Sequence, residues 1–280
     1  MIFPVRRVAH TNSASFQERL DRFSFVLVRP KVAENVGAAA RALKNMGFSD
    51  LRLVAPQSYS RSAAATLAVH AGDVLRGASV YPDLAQALKE RTLTVGTTCR
   101  RGAFREHAQE LRQSAMALAE AVRGNQIAVI FGPEDDGLSN QELKVCQQLI
   151  VIPTSAAYQS LNLAQAVMLV AYELTMALRN VDGSVGDEAA AELAALLTRA
   201  PVAEVEAMLR RLEQALTDIG FLPSDSPDRI MFVIRNILGR TGLTRRETDI
   251  LNGIASQIRW FADEGHQTLA AKRRDGRKFR

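Results

Sequence analysis

Residues 127–178 constrain the fold of this chain more than any other stretch. They open with the apolar run Ile127–Phe131, which has the length and composition of a buried strand, and a loop with two glycines and a proline follows. A second apolar run at 149–153 predicts another strand, and a long amphipathic helix is predicted to begin at Ser160 or Asn162. Because ligands of open α/β sheets bind beyond the carboxyl ends of the strands, we predict a ligand site in these loops.

The same alternation of strand and helix patterns fills the rest of the first 180 residues. Further strands are predicted at Phe23–Val28, 51–54 and 93–95, and further helices at 62–80 (with a break at Gly72 or Gly77), at 83–89, at 114–122 and from the capping box of Ser139 and Glu142. This order predicts an α/β fold with a mostly parallel sheet and helices on both faces.

The helix after the first strand has two different faces. An apolar stripe of helical period is formed by Val36, Ala39, Ala40, Leu43 and Met46. Gly37, Arg41 and Lys44 fall on another face, where bare backbone is paired with two cations one turn apart. Both a phosphate contact and an ordinary solvated surface are open interpretations of that face.

The composition changes after residue 180, where small and polar residues predict a linker. Beyond it the sequence predicts only helices, the last of which starts at the capping box of Thr244 and Glu247 and carries Ile250, Ile254, Ile258 and Phe261 on one side. The predicted boundaries are a disordered or loosely packed extension at 1–21, an α/β domain at 22–180, a linker at 181–187, a small all-α domain at 188–264 and a basic tail at 265–280.

Charge and cysteine content indicate the compartment and the kind of partner. The formal net charge of +5 fits a polyanionic partner, although many enzymes that never meet nucleic acid are as basic. Cys99 and Cys146 are the only cysteines, which predicts a reducing compartment without structural disulfides. No run reaches the roughly 20 apolar residues of a membrane span, and the N-terminus lacks the apolar core of a signal peptide. We therefore predict a cytoplasmic protein without membrane attachment.

Several common catalytic motifs are missing from the sequence. It has no glycine-rich dinucleotide fingerprint, no nucleotide-hydrolysis loop and no α/β-hydrolase serine motif. Its four histidines are scattered, and no His/Cys spacing suits zinc. Asp135 and Asp136, beside Glu134, have the ligand type for magnesium, but a solvated acidic loop explains them more simply. We predict no metal site.

Three sequence blocks carry a resemblance to a known superfamily. They are NVGAAAR at 35–41, FGPEDDGL at 131–138 and SLNLAQAV at 160–167. In this order and spacing they resemble the three motifs of the SPOUT superfamily, specifically its SpoU/TrmH-type RNA 2'-O-methyltransferases. The pattern from Gly220 to Ile254 looks like the helical extension of the TrmJ branch. Members of that branch methylate the ribose of nucleotide 32 in the tRNA anticodon loop.

This resemblance implies a fold detail, a cofactor and an assembly. The α/β domain is expected to end in a deep trefoil knot, with the final helix threaded back near residues 152–162. S-adenosylmethionine is expected to bind in the knot, and members work as homodimers with an active site shared across the interface. The implied cofactor-binding residues are Thr97, Thr98, Phe131, Gly132, Glu134, Gly137, Ile152, Pro153, Ser160 and Leu161.

The resemblance also implies catalytic roles for polar residues of the motifs. The family proposal makes Arg41 the general base, but a guanidinium stays protonated in proteins. We therefore expect Arg41 to bind the RNA phosphate and the 2'-oxygen and to stabilise the developing alkoxide. Asn35 is expected to order the active-site loop or to contact RNA, and Glu134, Ser160 and Asn162 to hold the loops and Arg41 in place. Helix capping is the simpler role open to Ser160 and Asn162.

The partner that the resemblance implies is tRNA. An anticodon loop presents the unstacked bases that sequence-specific RNA recognition uses. Besides the basic tail, the candidates for gripping tRNA are Arg100, Arg101, Arg105, Arg210, Arg211, Arg235, Arg240, Arg245 and Arg246. A solvated surface position is the alternative for each arginine. Two alternatives for the function stay open, namely methylation of ribosomal RNA and RNA binding without catalysis.

Overall fold

The computed structural model describes residues 13–57, 59–99, 108–181, 198–223 and 227–265. Within these ranges the chain forms one sheet flanked by helices and, after residue 200, a group of helices with its own apolar cluster. The predicted linker at 181–187 and basic tail at 265–280 lie outside the described residues, apart from the first residue of each.

The sheet has seven strands in the order β3-β2-β1-β6-β4-β7-β5. In chain order the strands are Phe23–Val28 (β1), Asp50–Val54 (β2), Ser79–Tyr81 (β3), Leu93–Thr97 (β4), Gln109–Glu110 (β5), Ile127–Phe131 (β6) and Gln148–Val151 (β7). Every described pairing is parallel, so the predicted α/β fold with a parallel sheet is confirmed.

Helices follow most strands and cover the sheet. They are Ser13–Leu20 (α1), Ala33–Met46 (α2), Arg61–Ala68 (α3), Gly72–Gly77 (α4), Leu84–Leu88 (α5), Leu111–Ala121 (α6), Asn140–Lys144 (α7) and Leu163–Val181 (α8), followed by Val202–Asp218 (α9), Pro227–Thr241 (α10), Arg245–Trp260 (α11) and a short π-helix at Phe261–Gly265. None of the described helices is both long and apolar enough to cross a membrane.

The central strands β1 and β6 are buried along their whole length, as the continuous apolar runs in the sequence require for a parallel sheet covered on both faces. Three aromatic rings fill the space under α2. Phe25 lies 4.9 Å from Phe48 and 6.1 Å from Phe131 between ring centroids. This packing joins the middle of β1 to the end of β6, from which the loop with the second sequence motif begins.

The segment before β1 is better ordered than its composition suggests. Residues 13–20 form α1, Leu20 is buried in the main core, and the side-chain amide of Gln17 donates to the Gly47 carbonyl at 3.1 Å. The interpretation as a disordered or loosely packed extension is therefore wrong for this segment, because its apolar residues cover the end of α2.

The predicted helix at 62–80 is divided. It forms α3 and α4, and His70 adopts a positive φ of 61° in the break between them. Its last residues form the edge strand β3 instead of helix. Three residues are too few to show the period-two alternation of a strand, so the alanine-rich composition around them favoured helix.

The three helices after residue 200 pack on one another and on the sheet region. Met208 and Met231 are buried in their shared cluster, and the Val202 amide donates to the Arg91 carbonyl at 2.8 Å. The predicted apolar side of α11 is packed only in part, since Ile258 lies against this cluster. Ile250 and Ile254 are 56% and 46% exposed, whereas Thr248 and Ala255 of the same helix are buried.

Candidate active site

A cleft opens where β4, β6 and β7 end and α8 begins. Its lining includes every residue predicted to bind the cofactor except Pro153: Thr97, Thr98, Phe131, Gly132, Glu134, Gly137, Ile152, Ser160 and Leu161. Pro153 follows Ile152 as an exposed residue outside the cleft. The structure thus brings together three loops that lie far apart in the sequence.

The loop after β6 folds tightly on itself. A Cβ added to Gly132 would lie 2.1 Å from the carbonyl carbon of Gly137 and 2.2 Å from the amide nitrogen of Leu138. Gly137 has a φ of 64°, a conformation that glycine adopts without cost. Two glycines are therefore required here, and the absence of side chains leaves backbone groups at the wall of the cleft.

The lining of the cleft is acidic. Glu134, Asp135 and Asp136 belong to it, and no Lys or Arg is found among its described residues. Lys31 approaches from outside and forms an ion pair with Asp135, which lowers the pKa of that carboxyl and raises the pKa of the Lys31 ammonium. This cleft suits a ligand with positive charge better than a nucleotide with several phosphates.

A chain of hydrogen bonds links one polar residue from each of the three motifs. Asn162 donates through Nδ2 to Oδ1 of Asn35 at 2.9 Å, and Asn35 donates through Nδ2 to Oε1 of Glu134 at 2.9 Å. The other Glu134 oxygen accepts from the backbone amide of Lys31 at 3.1 Å. The network holds the loop after β1, the loop after β6 and the start of α8 in one arrangement.

Asn162 also caps α8. Its Oδ1 accepts from the backbone amides of Ala164 at 2.9 Å and Gln165 at 3.4 Å. Ser160 is exposed in the cleft and, among the described residues, has no hydrogen-bond partner. Of the two candidates for the capping role, only Asn162 performs it.

Arg41 lies apart from this network. It is exposed on α2, does not line the cleft, and has no hydrogen-bond or ion-pair partner within the part of the chain that the structure describes. The network residues Asn35, Glu134 and Asn162 therefore hold the loops but do not hold Arg41. Its guanidinium is available to a ligand or to another chain.

The face of α2 that holds Gly37, Arg41 and Lys44 is not uniform in the structure. Gly37 is buried, and a Cβ there would lie 1.8 Å from the Ala64 carbonyl oxygen. The Lys44 ammonium pairs with both carboxylate oxygens of Asp73 at 2.8 Å. Gly37 therefore permits close packing of α2 on α3, and the interpretation of this face as a phosphate contact is wrong for Gly37.

Some residues of the site were missed by the sequence analysis. Cys99, Leu138, Leu163 and Ala166 also line the cleft. Leu163 and Ala166 could have been found from helical spacing once the start of α8 was known, because residues three positions apart lie on the same face of a helix. Arg29, at a φ of 48°, forms an ion pair with Glu142 and so ties the loop after β1 to α7. No sequence pattern pointed to that pair.

The arginines proposed to grip tRNA differ in their surroundings. Arg211, Arg235 and Arg245 bond Asn252, Glu206 and Glu204 within the helical region. Arg210 and Arg246 are exposed and have no such partner among the described residues. Arg100, Arg101, Arg105 and the side chain of Arg240 lie outside the described structure.

Within the described ranges, no three His, Cys, Asp or Glu side chains meet as a bound metal ion would require. The prediction that the protein has no metal site stays a prediction.

Comparison with known proteins gives two matches to family models. The model of the SpoU rRNA methylase family matches residues 22–172, and the model of the C-terminal domain of the tRNA methyltransferase TrmJ matches residues 203–272. Together they account for both the sheet region and the helices after residue 200.

Curated relatives are similar along their whole length. The tRNA (cytidine/uridine/adenosine-2'-O-)-methyltransferase TrmJ of Pseudomonas aeruginosa is 36% identical over 91% of this chain and 99% of its own. The tRNA (cytidine/uridine-2'-O-)-methyltransferase TrmJ of Pectobacterium atrosepticum is 34% identical over 88% of this chain and 100% of its own.

Solved structures agree with this likeness. The crystal structure of TrmJ from Z. mobilis ZM4 has a TM-score of 0.70 and 32% identity, covering 84% of this chain and 98% of that one. A probable methyltransferase from Bordetella pertussis has a TM-score of 0.55 and 35% identity, covering 58% of this chain and 99% of that one.

Proposed function

The chain belongs to the SpoU rRNA methylase family, and from this premise we propose that it transfers a methyl group from S-adenosylmethionine to a ribose 2'-hydroxyl of tRNA, at nucleotide 32 of the anticodon loop. The observation that carries the proposal is the hydrogen-bonded chain from Asn162 through Asn35 to Glu134 at the edge of the cleft. It joins the three motifs on which the resemblance to 2'-O-methyltransferases depends. The proposal includes a trefoil knot near residues 152–162, a homodimer and a cytoplasmic location.

The cleft fits S-adenosylmethionine by its chemistry. The cofactor carries a sulfonium and an ammonium group, and the acidic lining of Glu134, Asp135 and Asp136 favours such positive charge. Leu138 and Ile152 supply apolar surface for a flat base, and the glycine loop offers backbone groups. When bound, the cofactor would supply an activated methyl group.

The contribution of the chain to the reaction is positioning and charge. The network fixes the loops that form the cleft, and holding two reactants in line contributes up to about 7–11 kcal/mol in favourable cases. Arg41 would bind an RNA phosphate and the 2'-oxygen, and would stabilise the negative charge that develops as the hydroxyl loses its proton. Its exposed position, without a partner among the residues that the structure describes, supports this role.

The position of Arg41 also supports the proposed homodimer. Because Arg41 does not line the cleft of its own chain, a site that uses both needs either a movement of α2 or a second copy. The exposed apolar side chains Leu169, Tyr172 and Met176 lie at helical spacing on α8 and offer a surface for that copy. We propose that Arg41 of one protomer serves the cleft of its partner.

We assign RNA contacts first to exposed arginines that have no hydrogen-bond or ion-pair partner among the described residues. Arg210 and Arg246 meet this condition on the helices α9 and α11. Arg211, Arg235 and Arg245 would first have to leave their present partners. Replacing Arg210 or Arg246 should weaken tRNA binding and reduce its dependence on salt, since each phosphate contact releases counterions.

A second candidate substrate is ribosomal RNA, because the matching family model is described by that substrate. The match of residues 203–272 to the TrmJ C-terminal domain favours tRNA.

The test is to incubate the protein with radiolabelled S-adenosylmethionine and either unmodified tRNA or ribosomal RNA, and to map the label. We expect label on a ribose of the tRNA anticodon loop and a loss of at least about 100-fold in Arg41→Ala. Arg76→Ala is the matched control, because Arg76 is an exposed arginine on α4 that does not line the cleft. Label on ribosomal RNA alone would overturn the substrate, and no transfer to any RNA would overturn the activity.

A further inference from the structure

Tyr158 stands out among the exposed aromatic residues. It is 76% exposed, the highest value among the large apolar and aromatic side chains that the structure describes. A ring this exposed contributes little packing energy to the fold, and most of its surface is accessible to a ligand. The residues that follow it, Gln159, Ser160 and Leu161, line the cleft.

The backbone holds Tyr158 in a defined place. Its amide donates to the Ser155 carbonyl at 3.2 Å, and the Thr154 hydroxyl donates to the Gln159 carbonyl at 3.4 Å. These bonds close a turn in which Tyr158 is the only aromatic residue and three of the others, Ser155, Ala156 and Ala157, are small. Tyr158 is therefore exposed in a hydrogen-bonded turn, immediately before the cleft-lining Gln159.

We propose that Tyr158 is an RNA-binding residue whose ring stacks on the nucleobase of the target nucleotide. This inference rests on the proposed function, because the ribose must enter the cleft while its base stays outside. Proteins that recognise single-stranded RNA loops stack unpaired bases on such aromatic rings. Stacking is tolerant of base identity, since every base has a π-face.

The test uses three substitutions at one position. Tyr158→Phe keeps the stacking ring, Tyr158→Leu keeps apolar bulk, and Tyr158→Ala removes both. We expect the KM for RNA to rise by about 5- to 150-fold in the Leu and Ala variants and to change less than about twofold in the Phe variant. Val80→Ala is the control, because Val80 is 54% exposed on the edge strand β3, at the other side of the sheet.

A second measurement reports stacking directly. An RNA with 2-aminopurine at the target nucleotide should lose fluorescence on binding the wild type and Tyr158→Phe, but not Tyr158→Leu or Tyr158→Ala. Equal KM and equal quenching in all variants would overturn the inference. So would dissociation of a dimer in Tyr158→Ala, seen by light scattering, because the ring would then be a contact between protomers.

The outcome can be separated from that of the proposed function. If the wild type transfers no methyl group to any RNA, the proposed function fails and so does this inference. If the wild type methylates ribosomal RNA instead, the same variants are compared on that RNA. Binding of S-adenosylmethionine alone, measured by calorimetry, should be unchanged in Tyr158→Ala, because the ring itself does not line the cleft.

Discussion

The side-chain amide of Asn162 donates to the amide oxygen of Asn35 at 2.9 Å, although 127 positions separate the two residues in the sequence. Asn35 uses its own NH2 group to donate to Glu134, so the two ends of its amide have different partners. Each amide therefore has only one orientation that satisfies the network. Changes that keep the size of a side chain but alter its donors should be as harmful as truncation.

Asn35 offers the sharpest test of this directionality. Asn35→Asp replaces the donor to Glu134 with a second carboxylate oxygen, and we expect it to lose about 1–3 kcal/mol of unfolding free energy, at least as much as Asn35→Ala. Methyl transfer should fall in both variants. Asn45→Asp, an exposed asparagine on the same helix, is the control and should cost less than about 1 kcal/mol. Urea denaturation near neutral pH measures the difference, and a fully stable Asn35→Asp protein would contradict the network.

The ion pair of Arg29 with Glu142 gives a second prediction. Arg29 adopts a positive φ that is unusual for a residue with a side chain, and Glu142 also accepts the Ser139 amide at 2.8 Å within its capping box. Glu142→Gln keeps the cap but weakens the ion pair, so we expect a loss of about 1.5–3 kcal/mol and reduced activity. The matched change is Glu173→Gln, whose partner Arg112 is 81% exposed, and it should cost less than about 1 kcal/mol. Equal costs for the two substitutions would show that the Arg29 pair has no special role.

Much of this architecture follows from the sequence because its physical causes are local. The buried runs of β1 and β6 and the two capping boxes were predicted and are found in the structure. The parallel sheet follows from the alternation of these patterns. Two of the three motif blocks, at 131–138 and 160–167, supply residues to the lining of the cleft, whereas no residue of the block at 35–41 lines it.

Other features depend on tertiary contacts that no local pattern encodes. A phosphate contact and a solvated surface were both open interpretations for Gly37, but its neighbour across the helix interface is the backbone of Ala64. Ile250 and Ile254 were predicted on one apolar side of α11, yet both are exposed, whereas Ala255 of the same helix is buried. That Arg41 does not line the cleft of its own chain could not be predicted either. Helical spacing shows which face of a helix a residue occupies, but not which element packs against that face.

The two glycines Gly37 and Gly253 should respond in opposite ways to the same substitution. Gly37→Ala forces a Cβ against the Ala64 carbonyl, and we expect a loss of about 1–3 kcal/mol or more as α2 moves from α3. Gly253 lies in the middle of α11 with no atom within 4 Å of an added Cβ. Gly253→Ala should therefore stabilise its helix by about 0.5–1 kcal/mol. Thermal unfolding of both variants measures the signs, and destabilisation by both would contradict the account of Gly37.

The two cysteines should differ in reactivity and in their effect on alkaline stability. Cys146 is buried, and burial raises its pKa to about 12, whereas Cys99 is exposed in the cleft. At pH 8 a thiol reagent should modify Cys99 alone in the native protein, and S-adenosylhomocysteine should slow that reaction.

A free thiol in the unfolded chain ionises near pH 8.5. Since the native state keeps the Cys146 proton up to about pH 12, stability should fall as the pH rises above about 8.5. Cys146→Ala should flatten that slope, and rapid native labelling of Cys146 would contradict its burial.

Subunit mixing tests whether Arg41 acts across a dimer. Arg41→Ala removes the cation that we propose to be catalytic but keeps its cleft, whereas Gly132→Val places a side chain against the backbone of Gly137 and Leu138 and keeps Arg41. If Arg41 of one protomer serves the cleft of the other, a mixed dimer has one complete site, and an equal mixture should regain about a quarter of wild-type activity after subunit exchange. If both parts act within one chain, every dimer in the mixture is inactive. Each variant alone is the control, and light scattering must first show that Gly132→Val still forms dimers.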